Sequence, residues 1–421
     1  MASLIRRLYH TARFILHIFR DLAGTLRDSI RRHQARCRGE SFPLTIAWDI
    51  FPFYENLTGV GWYAYHLLRN LSQRSDVRIN LYGHMFRMEE EGDGLFVDID
   101  LPGVRFRTHG IPSRLILPRS VILLICKAVF EPLFQILDQN DVLFAPNFFP
   151  PSRMERAAPD MVPTIHDLTF KVFPEFVQNE TLHLLESRMP SSIYHASRII
   201  AVSESTRNDI ASYFPGAESK TIKVLSGLDA PCSSGGSLEQ SPYLLFVSTI
   251  EPRKNLDSLL NAFSLVKQQG YPGKLVIAGK VGWKSEETLS KMRAHPYAGS
   301  IRHLNYVNRT RLGDLYHNAD LFVFPSHYEG FGFPLLEAMA NGCPVIAARN
   351  SSLTEVGGDA CAYVDSPTPE ALAKVIMDVW THKPLQEQYR KAGRKQAALF
   401  KWEEAARETL SVLESSCEDC R

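Results

Sequence analysis

From Leu44 onward the chain alternates short apolar runs with stretches whose apolar residues recur every three or four positions. Buried strands joined by amphipathic helices satisfy both periods, so the pattern predicts an α/β fold with parallel sheets. The strand runs fall at 44–50, 141–145, 162–165, 198–202 and 221–224, and then at 243–247, 274–278, 301–304, 320–324 and 344–347. Between the two sets lies the string GLDAPCSSGGSLEQS, residues 227–241, poor in apolar side chains and rich in Gly and Ser, as linkers are. At 421 residues the chain also exceeds one ordinary core of ~150. Two Rossmann-like domains, 41–226 and 242–400, are therefore expected to face each other across a cleft. The tail 401–421 is expected to hold a terminal helix, free to pack back on the amino-terminal domain.

Residues 1–40 differ from the rest. Nine Arg and no Lys against Asp21, Asp28 and Glu40 give +6, and with a total of +1 the remainder carries −5. Leu4, Leu8, Ala12, Ile15, Phe19, Leu22, Leu26 and Ile30 recur at helical spacing, with Arg6, His10, Arg13, His17, Arg20, Arg27 and Arg31 opposite them. This is the pattern of a basic amphipathic helix that lies on an anionic membrane surface. A helix packed on its own protein and an Arg-rich transit peptide share it. On the membrane reading, residues 1–40 are an appendage whose removal spares the body. The longest apolar stretch, 121–130, is short and interrupted by Lys127, so no spanning helix is expected.

Overall charge gives no global pull toward nucleic acid, since 47 Lys and Arg balance 46 Asp and Glu, and no nucleic-acid partner is expected. Seven scattered cysteines fit reduced thiols better than a disulfide framework. Cys417 and Cys420 form a CxxC in a polar tail, which reads as a frayed terminus rather than a redox or metal site. No paired zinc-ligand spacing occurs.

Ligands of doubly wound sheets bind beyond the carboxyl ends of the strands, so the loops there are the candidate sites. The first is ADLFVFPSHYEGFGFPLLEAMAN, where a strand leads through Gly330-Phe331-Gly332 into a helix starting near Pro334. Glycines let backbone amides approach a ligand closely, and a helix amino end attracts anions. Glu329 and Glu337, eight apart, can face one cleft from the loop and the helix; alone, they read rather as a dipole complement and a solvated surface residue. The second is STIEPRKN, 248–255, whose adjacent Arg253 and Lys254 suit a diphosphate leaving group. The third is His166-Asp167 after the 162–165 strand, which by itself reads as a structural histidine beside its neighbour. Asp98-Ile99-Asp100 mimics a metal-binding DxD, but it sits in a polar stretch and reads as a solvated loop.

The string PSHYEGFGFPLLEAMANGCPVIA, with Glu329 and Glu337 as its E-x(7)-E pair, resembles the retaining glycosyltransferases of family 4, which have the GT-B fold. The resemblance runs from about Leu44 to the end. It implies that Glu337 accepts the ribose hydroxyls of a nucleotide-sugar and that Glu329 contacts the donor sugar. Gly330, Phe331 and Gly332 amides would hold sugar hydroxyls and phosphate. At the family's usual Arg position stands Thr249; Lys254 matches, and Arg253 replaces the missing charge. His166 would touch the donor sugar, and Asp167 would orient it or the acceptor. Gly59-Val60-Gly61 matches the amino-terminal glycine loop near phosphates and acceptor, with Trp62 where an Arg is often found.

The resemblance thus implies a retaining, metal-independent transferase without cofactor, using a nucleotide diphosphate-sugar. The strings EPRKN and IHDLTF are similar to those of bacterial mannosyltransferases of polysaccharide assembly, which implies GDP-mannose. The basic helix adds a lipid-linked saccharide acceptor and a cytoplasmic, peripheral place on the inner face of the membrane. A UDP-sugar donor and a sugar-nucleotide epimerase remain as alternatives; a glycosidase using the two glutamates is disfavoured because it needs no diphosphate clamp.

Overall fold

A computed structural model describes residues 2–53, 59–82, 86–88, 101–107, 109–111, 115–152, 154–230, 232–236 and 242–418. The Asp98-Ile99-Asp100 string, Cys420 and residues 237–241 of the linker lie outside them.

The strands are β1 (Leu44–Asp49), β2 (Val77–Tyr82), β3 (Phe86–Met88), β4 (Val104–Phe106), β5 (His109–Ile111), β6 (Val142–Ala145), β7 (Asp160–Ile165), β8 (Ile199–Ala201) and β9 (Thr221–Lys223). They continue as β10 (Tyr243–Val247), β11 (Lys274–Ala278), β12 (Ile301–His303), β13 (Leu321–Phe324), β14 (Val345–Ala348) and β15 (Cys361–Val364). A seven-stranded sheet runs β4-β2-β1-β6-β7-β8-β9 and a six-stranded sheet β12-β11-β10-β13-β14-β15, while β3 and β5 form a separate pair. Every pairing with a recorded register is parallel, as continuous apolar runs such as YLLFV and KLVIA require. Both large sheets are doubly wound. The order reverses between β1 and β6 in the first and between β10 and β13 in the second, so a crevice for ligands opens beyond those strand ends.

Contacts group Met1–Ile165, Ser191–Ile200 and Ala406–Arg421 into one compact unit and His166–Pro190 with Ala201–Ala405 into the other. This grouping differs from a linear division at 227–241. The reason is local: the chain after β7 packs into the loop around Gly330, so those residues gather with the second unit.

The second unit's core is built on β10, β11 and β13, with Leu259, Phe263, Leu372 and Ile376 from two helices packed against them. In the first unit α1 (Ala2–Cys37) does not behave as an appendage. Phe14, Ile18 and Leu22 enter a core with Tyr82, Phe134 and Leu143, and buried Arg32 forms an ion pair with Asp141. Among the described side chains of the predicted apolar stripe only Leu22 is buried; Leu8, Ile15, Phe19, Leu26 and Ile30 face outward. The packed side is thus rotated from the predicted one. Periodicity identifies an apolar face but does not say which edge of it meets protein.

A second correction concerns the apolar stretch at 121–130. Helical structure runs from Ser120 to Asp138 and is long and apolar enough, by length and composition, to cross a membrane. In the structure helical backbone continues through Pro132, which lies at the start of the segment Glu131–Asp138 just after a π-helical turn at Cys126–Phe130, the kind of local widening that accommodates a proline ring and its missing N–H.

Candidate functional site

The site grows from two neighbouring strands. β10 and β13 pair directly, Leu244 with Leu321 and Leu245 with Phe322, so the loops that leave their carboxyl ends emerge side by side at the switch point. After β10 the chain forms a short 3-10 turn, Pro252–Lys254, closed by Asn255 at φ 55°. Asparagine tolerates this left-handed conformation, and the Asn255 amide donates to the Pro325 carbonyl at 3.1 Å, tying one loop to the start of the other.

The two loops meet in a charge cluster. Lys254 Nζ donates to Glu329 Oε1 at 2.7 Å, and Arg253 Nη1 donates to Glu329 Oε2 at 2.9 Å. Arg253 also pairs with Glu251 at 2.8 Å and donates to the Tyr328 carbonyl at 2.8 Å. Glu251, Lys254 and Glu329 are all buried. Burial alone would raise the Glu329 carboxyl, but Lys254 and Arg253 outweigh it and hold the group down at about 2. Burial lowers Lys254, with Arg253 adding to the effect, while Glu251 is raised by burial. Two cations thus meet two carboxylates, and both Glu329 oxygens are already engaged by protein. The basic pair is not a bare positive patch, as the sequence suggests. It is a neutralised cluster whose geometry a bound anion would have to share.

Glu337 is different. It lies on the helix Phe333–Ala340, whose amino end is capped by Gly332 at φ 112° with no side-chain cap. Tyr316 donates its hydroxyl to Glu337 Oε2 at 3.0 Å. Burial raises the carboxyl to about 7, only partly offset by Tyr316 and Arg309.

Gly330 explains how the third loop joins. A Cβ there would fall 1.7 Å from the His166 carbonyl oxygen, so only glycine lets the chain after β7 reach this close. Leu168 donates its amide to the Tyr328 hydroxyl at 3.2 Å, and that hydroxyl donates to Asp209 at 2.6 Å. Asp167 accepts the Thr169 amide at 2.9 Å. His166 and Asp167 are half-buried beside the Glu329 loop. Phe331 is buried against Phe333, ring centroids 4.9 Å apart. Thr249 is exposed at the mouth of the β10 loop. Gly59 and Gly61 open a helix of the first unit, Gly59–Ser72, after β1 and hence at that sheet's own switch point.

Sequence reasoning missed Glu251, Tyr328, Asp209, Tyr316, Ser351 and Ser352. Ser351, at φ 42°, accepts the Glu329 amide at 3.0 Å, and Ser352 donates to the Glu329 carbonyl at 2.8 Å. A signal existed for Glu251, which begins the EPRKN string, and for the serines, which follow β14 directly. Tyr328 stands beside Glu329 in the motif itself but shows its role only through Asp209, which joins it across 119 residues, and Tyr316 meets Glu337 from 21 residues upstream. Among the described residues no group of three or more His, Cys, Asp and Glu could hold a metal ion.

Residues 233–396 match the family described as "Glycosyl transferases group 1". Over 384 residues, covering 86% of this chain and 97% of the relative, the protein is 30% identical to the O-antigen chain mannosyltransferase B of Escherichia coli. The chain is a group 1 glycosyltransferase. Its fold agrees: this glycosyltransferase superposes on the sucrose-phosphate synthase of Thermosynechococcus elongatus with a TM-score of 0.66 at 17% identity, covering 88% of this chain and 98% of that one. The Anabaena protein HepE, solved with UDP and glucose, gives 0.65 at 16% identity over 88% of this chain and 100% of that one. The architecture of this glycosyltransferase is therefore GT-B, with two Rossmann-like domains.

Proposed function

We propose that this glycosyltransferase is a retaining, metal-independent mannosyltransferase that moves mannose from GDP-mannose to a lipid-linked saccharide in surface polysaccharide synthesis. The observation that carries the reading is the match to an O-antigen mannosyltransferase along 97% of that protein's length. The site's chemistry supports it. Lys254 and Arg253 hold the diphosphate, Glu337 accepts the ribose hydroxyls, and the Gly330, Phe331 and Gly332 amides take the remaining oxygens. Thr249 lies at the phosphate edge.

Charge on the departing diphosphate grows in the transition state. Lys254 and Arg253 then turn part of their hydrogen bonding from Glu329 to the phosphate, and Glu329 keeps the pair assembled when no donor is bound. His166 and Glu329 flank the sugar, and Asp167 orients His166 or the acceptor. The acceptor hydroxyl attacks from the face the diphosphate leaves, a donor phosphate oxygen takes its proton, and the configuration is retained. Gly59 and Gly61 serve the acceptor side. No cofactor is consumed. The place of work is the cytoplasmic face of the membrane, with residues 1–40 on its anionic surface.

A panel of radiolabelled nucleotide-sugars, incubated with protein and a lipid extract, tests this. Label entering lipid from GDP-mannose with the donor's anomeric configuration is the expected result. Transfer only from UDP-sugars, an inverted product, or conversion of the donor sugar without an acceptor contradicts it; the last would reveal an epimerase.

A further inference from the structure

α1 is divided lengthwise into three faces. Phe14, Ile18, Leu22, Thr25 and Arg32 are buried in the first unit. At 3.6 residues per turn, Leu8, Ile15, Leu16, Phe19, Leu26 and Ile30 form the adjoining face, and all are exposed, Leu16 at 70%. Beyond them Arg6, Arg13, Arg20, Arg27 and Arg31 form a third face, also exposed. A soluble surface has no use for an apolar stripe placed between a packed edge and an arginine row, because each exposed apolar side chain forgoes burial.

The same unit carries a second unpartnered apolar surface. Along Ser120–Asp138, Leu124, Val129, Leu133 and Ile136 point outward, Leu124 at 69% and Ile136 at 70% exposure. The two helices are in contact: Phe19 meets Phe130 edge to face, ring centroids 6.3 Å apart. Length and composition alone would let Ser120–Asp138 span a bilayer, but its other side is committed to protein. Cys126 and Phe134 lie in the core, Glu131 is buried, and buried Asp138 accepts from Arg107 Nε at 2.9 Å and from the Tyr82 hydroxyl. A helix held this way can offer one face to lipid and cannot be surrounded by it.

We infer that α1 and the Ser120–Asp138 helix form a single monotopic surface that beds into the headgroup region of an anionic bilayer, apolar side chains toward the acyl chains and the arginine row on lipid phosphates. The occupant follows from charge. The +6 of residues 1–40 against −5 for the remainder places the cationic groups beside the apolar stripe, which complements an anionic leaflet. The inference rests on the membrane reading of residues 1–40 given above and adds a second helix to it.

Full-length protein is floated with phosphatidylcholine vesicles, with and without phosphatidylglycerol. Three forms are compared: the parent, Leu8→Glu/Leu16→Glu on α1, and Leu124→Glu/Ile136→Glu on the second helix. The parent rises with the anionic vesicles only and is released by salt. Each double variant lowers the bound fraction by about tenfold or more, with melting temperature and transfer to a soluble acceptor analogue unchanged. If Leu124→Glu/Ile136→Glu floats like the parent while the α1 variant does not, the second helix has no membrane role and the inference fails, with the reading of residues 1–40 intact. A parent that does not float removes both. A parental dimer that the Leu124→Glu/Ile136→Glu change splits, with flotation unaltered, assigns the surface to a second copy and overturns the inference. Should the glutamate variant misfold, Leu124→Trp replaces it: brominated acyl chains quench its added fluorescence if the inference holds, and leave it unquenched if it does not.

Discussion

Glu329 and Glu337 belong to one short motif, yet the loop and the helix turn that carry them give two glutamates opposite electrostatics. In the loop, two cations reach one carboxylate and hold it at about 2 despite burial. On the helix, burial acts with only a tyrosine hydroxyl at hydrogen-bonding distance, and the carboxyl rises to about 7. The difference teaches that residue type and spacing do not set a carboxylate's task; the partners delivered by neighbouring strands do. Glu329 is an internal counter-ion, and Glu337 accepts from the Tyr316 hydroxyl without a cation at hydrogen-bonding distance among the described residues.

Removing the counter-ion should have the largest effect. Glu329→Gln leaves Arg253 and Lys254 buried with less anion, which costs about 3–5 kcal/mol in systems where one partner of a buried pair is lost. Urea unfolding and initial rates together should show a marked fall in stability and loss of transfer. A change within experimental scatter would mean that the cluster is not a unit. Gly330→Ala comes next. Its methyl group meets the His166 carbonyl, and displacing that backbone should lower turnover and cost ~1–3 kcal/mol. Lys254→Ala should reduce kcat by about 10²-fold, through lost stabilisation of the leaving group, with a smaller change in melting temperature. Smallest is Glu337→Gln, expected to raise the donor KM by about tenfold with kcat nearly kept, as loss of a ground-state hydrogen-bond acceptor does.

The pH dependence separates the two carboxylates by sign. Glu329 is lowered from 4.5, so its stabilisation is present above that value and is lost as pH falls through about 2. Glu337 is raised from 4.5, so its contribution is present at low pH and is lost as pH rises through about 7. Melting curves should therefore show a decline as pH rises from 4.5 to about 7 that Glu337→Gln flattens and Glu329→Gln does not.

Much of the second sheet was legible in the sequence. Tyr243–Val247 and Lys274–Ala278 have the expected ends, because each is an apolar run bounded by polar or turn residues. β2 and β4 escaped notice since Arg78, Asn80 and Arg105 interrupt their apolar pattern, and β15 was also missed although, at four residues, it is no shorter than β13 or β14. In the site, Arg253, Lys254 and Glu329 stand out as residues on loops after strands. Their neutralisation by one another does not, because it depends on β10 lying next to β13. Asp209 and Tyr328 are 119 residues apart and meet only in the folded chain. In α1 the amphipathic period was visible, but the division between core-facing and outward apolar residues required the packing of Phe14 and Ile18.

On the proposed function, Lys254, Arg253 and Glu337 together hold the diphosphate and ribose of the donor. Calorimetric titration of GDP into the parent, Lys254→Ala and Glu337→Gln at pH 6 and pH 8 tests it most directly. Because Glu337 ionises near 7, the parent should gain up to about tenfold more affinity between these pH values than Glu337→Gln, whose change reports GDP's own titration, and Lys254→Ala should bind weakly at both. Equal pH responses in parent and Glu337→Gln, with undiminished binding by Lys254→Ala, would contradict the account.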